Sequence, residues 1–437
     1  MINEYAKKLW KLAASDIGRN SLLIFLALRI GDLATLAVKV YLGRPGTTAR
    51  VDFGAIDPFY SVLTILAIPV AILCQVAVKT ISRLDALHAE GKRISFVRDL
   101  LTIAAAGSLL SCLAVWFSRK YILVRLHLEN YQGAAWIVLV MIALLFFQSW
   151  WTPVLNAIIQ GRQKYKFIAF LSAASPALVA FLTVLFVGGF GAALFGVFSA
   201  RFAAVFVIAL AMLVAAAPAA RGARESYSDE LKPLLVSILP MAVFIVCSTL
   251  LMHFDRLFVR NFRQEVSDGY AAILTLGQIP LWIIGPMTIV LLPLASAEHA
   301  KGRSVSQLLR QALLIAAPIT LLTVAFFAIA AEPLMRAWNP KYAPFAGLVW
   351  IYALAMGLEG LIQLIANIEI ARHEHTGFWW MSAITAAYCI GMYLSKSFLT
   401  LNVLLIFFTG ARILILVAMA TVILRRIGSD GTSRKQI

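Results

Sequence analysis

The chain has 437 residues, of which 61% are apolar and only 14% charged, and its mean hydropathy is +0.87. That composition lies outside the soluble range and leaves the membrane proteins as the class. A net charge of +17 would suggest nucleic acid in a soluble chain, but here the cations sit mostly in short segments between long apolar runs, where membrane topology accounts for them and no nucleic acid is implied.

Residues 1 to 19, MINEYAKKLWKLAASDIGR, wrap as a helix with Ile2, Tyr5, Leu9, Trp10, Leu12 and Ile17 on one side and Lys7, Lys8 and Lys11 opposite. This pattern predicts an interfacial helix over 1–20 on the anionic cytoplasmic leaflet. No short apolar region with a small-residue cleavage site precedes the first apolar run, so that run itself is expected to start insertion.

A membrane span needs about 20 apolar residues. Twelve candidates follow, at 21–43, 57–80, 98–117, 133–155, 166–187, 191–214, 233–254, 269–294, 308–330, 343–367, 377–396 and 400–424. The polar stretch 215–232, AAAPAARGARESYSDELK, reads as a cytoplasmic linker between a bundle over 21–214 and a second over 233–424, with a tail at 425–437. Lys and Arg outside the spans, with Arg98, Lys166, Arg310 and Lys396 at the span edges counted in the adjoining loops, number 22 on the side of both termini and 11 on the other, which predicts cytoplasmic termini. Cys74, Cys112, Cys247 and Cys389 lie singly inside apolar runs and read as small core hydrophobes, and no metal or other cofactor is implied.

The chain repeats itself at an offset of 211. LTILAIP at 63–69 returns as LTLGQIP at 274–280, Asp57 matches Asp268, HAEGK at 88–92 matches HAKGR at 299–303, and Asn156 matches Asn367. Between 57–93 and 268–304, 10 of 37 positions are identical. The predicted fold is therefore all-α and integral to the membrane, with twelve transmembrane helices in two duplicated six-helix bundles. Six is even, so the copies enter the membrane in the same direction as parallel repeats, which is transporter architecture.

Ionisable residues inside a span cost about 2.5–3.5 kcal/mol each on insertion scales and usually face a cavity or a partner. Arg29, Asp32 and Lys39 share one face of the first span, either as an internal pair with Lys39 snorkelling outward or as part of a water-filled site. Arg201 and Arg412, again 211 apart, sit near the middle of the sixth and twelfth spans as structural anchors or as twofold anion ligands. Gln148, Thr152 and Asn156 match Glu359, Gln363 and Asn367 and form polar stripes suited to interhelical hydrogen bonds. Glu359 alone in the stripes can carry a proton and couple transport to a gradient. Asp255 reads as a residue at the outer end of the seventh span, paired with Arg256 or Arg260. His373 and His375 are splayed by their i, i+2 spacing and read as a solvated loop rather than a metal pair.

The stretch HFDRLFVRNFRQEVSDGYAAILTLGQIP at 253–280 resembles the Wzx-type polysaccharide-unit flippases of the multidrug and lipid-linked oligosaccharide exporter superfamily. The shared pattern is an Asp ending the seventh span, a loop, and Gly-Tyr opening the eighth, here Asp255 and Gly269-Tyr270. Length, the six-plus-six duplication and the basic loop ending EGKR at 90–93 extend the likeness to nearly the whole chain. The resemblance implies a V-shaped pair of bundles in a bacterial inner membrane, alternating between inward and outward openings. It also implies a cationic cavity that receives the pyrophosphate of a polyprenol-linked oligosaccharide. Coupling to protons or sodium and work beside a polysaccharide polymerase and export machinery would accompany it. Arg29, Lys39, Lys79, Arg201 and Arg412 outnumber Asp32 and Glu359 within the spans, so the interior favours an anion. With Asp255, Gln363 and Asn367 these are the candidate site residues.

Three rival readings follow in rank. A cation-coupled multidrug exporter of the same superfamily would want an acidic cavity for cationic drugs. A major-facilitator carrier would carry a Gly-x-x-x-Asp-Arg core that SRLDALHAEGKR lacks. A membrane polymerase or glycosyltransferase would usually show a large outward loop or an acidic metal motif.

Overall fold

The computed structural model describes residues 16–433 apart from 49–50, 130, 132, 163, 301–304, 373–375 and 398. The expected interfacial helix lies almost wholly outside the described residues, as do His373, His375 and most of HAKGR. Among the described residues all regular structure is helical. The helices are α1 Asp16–Leu42, α2 Phe53–Leu66, α3 Ile68–Ala86, α4 Glu90–Arg125, α5 Ala134–Gly161, α6 Tyr165–Gly189, α7 Leu194–Ala220, α8 Ser228–Phe262, α9 Ser267–Gly277, α10 Ile279–Ala300, α11 Ser306–Trp338, α12 Pro340–Ala371, α13 Thr376–Leu394 and α14 Leu401–Ser433. Eight of these are long and apolar enough to cross a membrane, and the bent pairs α2/α3 and α9/α10 raise the number to ten. The remaining two, α1 and α13, have 27 and 19 residues and are more polar, α1 through Arg29, Asp32 and Lys39 and α13 through its hydroxyl, tryptophan and tyrosine side chains. Together they make the twelve crossings of a multi-pass membrane protein.

The repeated proline explains both bends. Pro69 and Pro280 have no amide hydrogen, and each ring would collide with the carbonyl four residues back. The chain therefore breaks at Ala67 and at Gln278, one helix ending at Leu66 or Gly277 and the next starting at Ile68 or Ile279. The two breaks are themselves 211 apart, with bends of 57° and 45°.

The chain divides into two compact units. The first comprises Met1–Leu42, Gly46–Asp52 and Val62–Ile238; the second comprises Gly43–Pro45, Phe53–Ser61 and Leu239–Ile437. In the first, α1 packs along α6, and α3 along the last turns of α5. In the second, α12 is central, touching α9, α10, α11 and α14. Its small residues make that possible: a Cβ on Gly357 would lie 2.2 Å from Thr320, and one on Gly360 would lie 2.9 Å from Ile284.

Between α7 and α8 the chain crosses the first turns of α4 as a docked strap. Arg98 donates from Nε to the Ala220 carbonyl at 2.8 Å, the Glu225 amide donates to Ser95 Oγ at 3.1 Å, and the Tyr227 hydroxyl donates to Asp99 at 2.8 Å. Phe96 meets the Tyr227 ring edge-on at 5.6 Å. Gly91 is required here, since a Cβ would lie 2.4 Å from the Glu225 carboxyl carbon. Burial and the adjacent Asp99 carboxylate push the Tyr227 phenol up to about 12. Because the folded value is raised, the contact contributes fully below the ordinary phenol range near ~10 and is lost as pH rises through about 12. Trypsin should therefore cut slowly after the exposed Arg221 and Arg224 at pH 8, and Tyr227→Phe should speed cleavage severalfold. Equal rates in both proteins would mean that the strap is not held by Tyr227.

Candidate functional site

The second unit buries a charged cluster. The sequence reading placed Asp255 at the outer end of a span closing at residue 254, but α8 runs on to Phe262 and encloses Asp255 (0% exposed), Arg256 (8%) and Arg260 (1%). Arg256 and Arg260 are one turn apart on α8, so they read as topological cations in sequence although the fold surrounds them. Arg256 faces the carboxylates of Asp57 and Asp255. The Tyr270 hydroxyl donates to one Asp255 oxygen, while Oδ1 has no aligned hydrogen-bond donor. Thus the Asp and the Tyr that flank the loop in the sequence pattern meet in space. Tyr352 packs perpendicular to Tyr270 at 6.2 Å and stacks on Phe408 at 5.0 Å. His253 Nδ1 lies 3.0 Å from Ser61 Oγ.

Beside this cluster, Glu359 of α12 meets Arg412 of α14, both wholly buried, with Nε and Oε2 3.2 Å apart. The contact is a charge contact rather than an aligned hydrogen bond. Arg412 also donates to the Phe408 and Leu251 carbonyls at 3.0 and 2.8 Å, and its guanidinium lies 3.7 Å over the Phe408 ring. A guanidinium so enclosed presents no open face to a ligand. Glu359 Oε1 accepts from Ser248 at 3.2 Å and from Gln363 at 3.3 Å. Asn367 donates to the Thr288 carbonyl of α10 at 2.8 Å. The polar stripe of α12 is thus engaged in helix-to-helix hydrogen bonding.

The first unit holds the other candidates. Arg29 and Asp32 pair at 2.9 Å on α1, with side chains 26% and 30% exposed, and Arg29 lies 5.5 Å over Phe25. Lys39 is half-buried on the same helix. Lys79 lies on α3, its side chain outside the described residues. Arg201 of α7 is half-buried and donates from Nε to Gln148 Oε1 of α5 at 2.7 Å. Around this contact α5 winds as a π-helix over Leu145–Trp151, a form that is frequent at functional sites. Phe147, Phe202 and Phe206 pack rings beside it, at 5.2–6.1 Å between centroids.

The duplication becomes physical in these two pairs. Gln148 and Glu359 are 211 apart, and so are Arg201 and Arg412. Each pair joins the fourth and sixth crossings of its own unit. Each of the three span arginines has a partner within its own unit: Arg29 pairs with Asp32, Arg201 donates to Gln148, and Arg412 lies against Glu359. Asp57, Arg256 and Tyr352 were not among the candidate site residues read from the sequence. The i, i+4 arginines of DRLFVR and the matching Asp57 and Asp268 were the available signals.

No protein-family model matches the chain, and no curated protein sequence matches it. Solved structures do. One described as the inward-facing conformation of a multidrug resistance MATE family transporter of the MOP superfamily has 15% identity and a TM-score of 0.71, covering 95% of this chain and 99% of that one. The lipid II flippase MurJ in an inward closed conformation has 12% identity and a TM-score of 0.68, covering 92% and 87%. A MOP superfamily transporter from Pyrococcus furiosus, whose reversed binding-pocket polarity is said to suggest a different function, has 14% identity and a TM-score of 0.66, covering 95% and 97%. The chain has the twelve-helix fold of these transporters along nearly its whole length.

Proposed function

We propose that the protein is a flippase that moves a polyprenyl-pyrophosphate-linked oligosaccharide from the cytoplasmic to the outer leaflet of a bacterial inner membrane by alternating access. It is a transporter rather than an enzyme in this reading. The observation that carries it is the charge of the first unit, where away from the span ends Arg29, Lys39 and Arg201 outnumber Asp32 among the described residues. A pyrophosphate leaving water needs compensating cations, and arginine adds a planar fork of donors matched to phosphate oxygens. The fold fits, since one of its solved examples is a lipid II flippase. Cytoplasmic termini follow from the bias of basic residues.

Coupling to a proton or sodium gradient belongs to the second unit. Glu359 is the carboxylate that the sequence singled out, but it is neutralised by Arg412. Asp255, fully buried, shares Arg256 with the Asp57 carboxylate, so two carboxylates face that one cation and Asp255 is the better proton carrier. A cation-coupled multidrug exporter is the second reading, favoured by the MATE transporters that share the fold.

The experiment is deletion of the gene followed by complementation. Loss of a surface polysaccharide, with lipid-linked units left facing the cytoplasm, is expected. A strain with normal polysaccharide and new sensitivity to cationic dyes would favour the exporter instead.

A further inference from the structure

A linker between two bundles needs only length, whereas the strap between α7 and α8 is fixed along its course. At the end of α7, Lys164 donates from Nζ to the Ala215 carbonyl at 3.2 Å and Arg98 from Nε to that of Ala220 at 2.8 Å. Two cations thus close the carbonyl end of the helix. Gly222 then turns the chain at φ +127°, a conformation that favours glycine, and its carbonyl accepts from Arg98 Nη2 at 3.2 Å. Three residues on, the Glu225 amide meets the Gly91 carbonyl and Ser95 Oγ, and Tyr227 closes the strap on Asp99. Between these anchors Arg221 and Arg224 are exposed, and neither side chain makes a hydrogen bond or ion pair among the described residues. Their Cα atoms are at most about 11 Å apart along the chain. The carboxylate of the strap, Glu225, is turned against Gly91 of α4. A backbone held at both ends therefore presents two guanidinium groups that the fold itself does not engage.

We infer that this strap is a docking surface for anionic phospholipid headgroups, with Arg221 and Arg224 as the groups that meet the phosphates. With both termini cytoplasmic, as proposed above, this end of the first unit faces the inner leaflet, whose negative surface attracts basic segments next to a span. Guanidinium forks suit phosphate oxygens, and a chain already ordered loses less freedom on binding than a loose linker would. Neither cargo nor coupling enters this inference, which stands apart from the flippase reading.

The test uses the full-length protein in nanodiscs of phosphatidylcholine, alone or mixed with phosphatidylglycerol. Native mass spectrometry from the mixed discs should find phosphatidylglycerol retained over phosphatidylcholine, and Arg221→Gln with Arg224→Gln should lower that preference about fivefold for each arginine. Tyr227→Phe changes no charge but loosens the strap, so it should lose part of the preference. Trypsin gives a second readout at the same residues: phosphatidylglycerol should slow cleavage after Arg221 and Arg224 severalfold in the native protein. The inference fails if the double variant keeps the native preference, or if Arg119→Gln with Lys120→Gln, the same charge removed at the other end of α4, costs as much. Cleavage no slower with phosphatidylglycerol would also overturn it. So would a strap shielded from trypsin by farnesyl pyrophosphate in phosphatidylcholine discs but not by phosphatidylglycerol, since its partner would then be the head group of a cargo rather than the bilayer.

Discussion

Replacing Arg412 with alanine is expected to abolish folded protein in the membrane, whereas Glu359→Gln is expected to fold. Removing the guanidinium strands the Glu359 carboxylate at 0% exposure and leaves the Leu251 carbonyl without its donor. Breaking a buried pair from one side costs about 3–5 kcal/mol, a large share of a total stability of about 5–15 kcal/mol. Glu359→Gln leaves the Arg412 charge buried but keeps the side chain's shape and an acceptor oxygen, as Gln148 offers Arg201, and Arg412 retains its two carbonyl acceptors, so it should cost less than Arg412→Ala. Thermal unfolding and monodispersity in detergent measure both. An Arg412→Ala protein as stable as the native one would remove the structural role assigned to this pair.

The second large effect concerns Asp255. Asn at this position can still accept from Tyr270 but cannot carry a proton, so gradient-driven transport should fall at least about tenfold, as expected when a required proton carrier is lost. Exchange of substrate without a gradient should persist. Glu359→Gln distinguishes the two carboxylates: it should leave coupling largely intact, because the native carboxylate is committed to Arg412. Unchanged gradient-driven transport in Asp255→Asn, together with uncoupling in Glu359→Gln, would return the coupling role to Glu359.

Much of the fold was legible because each crossing is a long apolar run and because the two copies align without a gap. The repeated LTILAIP and LTLGQIP declared the duplication, and the structure shows the same prolines bending the second crossing of each unit. Both members of the Gln148–Arg201 and Glu359–Arg412 pairs were visible at the offset of 211. That they touch was not, because contact between fourth and sixth crossings is set by packing rather than by spacing along the chain. The extent of α8 was hidden for a different reason. Arg256 and Arg260 look like residues of an aqueous loop until Asp57 and Asp255 supply the charge that lets Arg256 be buried. The π-helical turn at Leu145–Trp151 and the strap against Gly91 leave no periodic signal at all.

Whether the cargo is an anionic lipid is decided most directly by reconstitution. Protein in sealed liposomes would be given a polyprenyl-pyrophosphate-linked oligosaccharide in one leaflet, with a lectin or glycosidase reporting its arrival in the other. The native protein should move it faster than protein-free liposomes and faster still under an imposed cation gradient, and Arg201→Gln should abolish most of that rate. Background rates with the native protein, alongside gradient-driven uptake of ethidium by the same liposomes, would contradict the account.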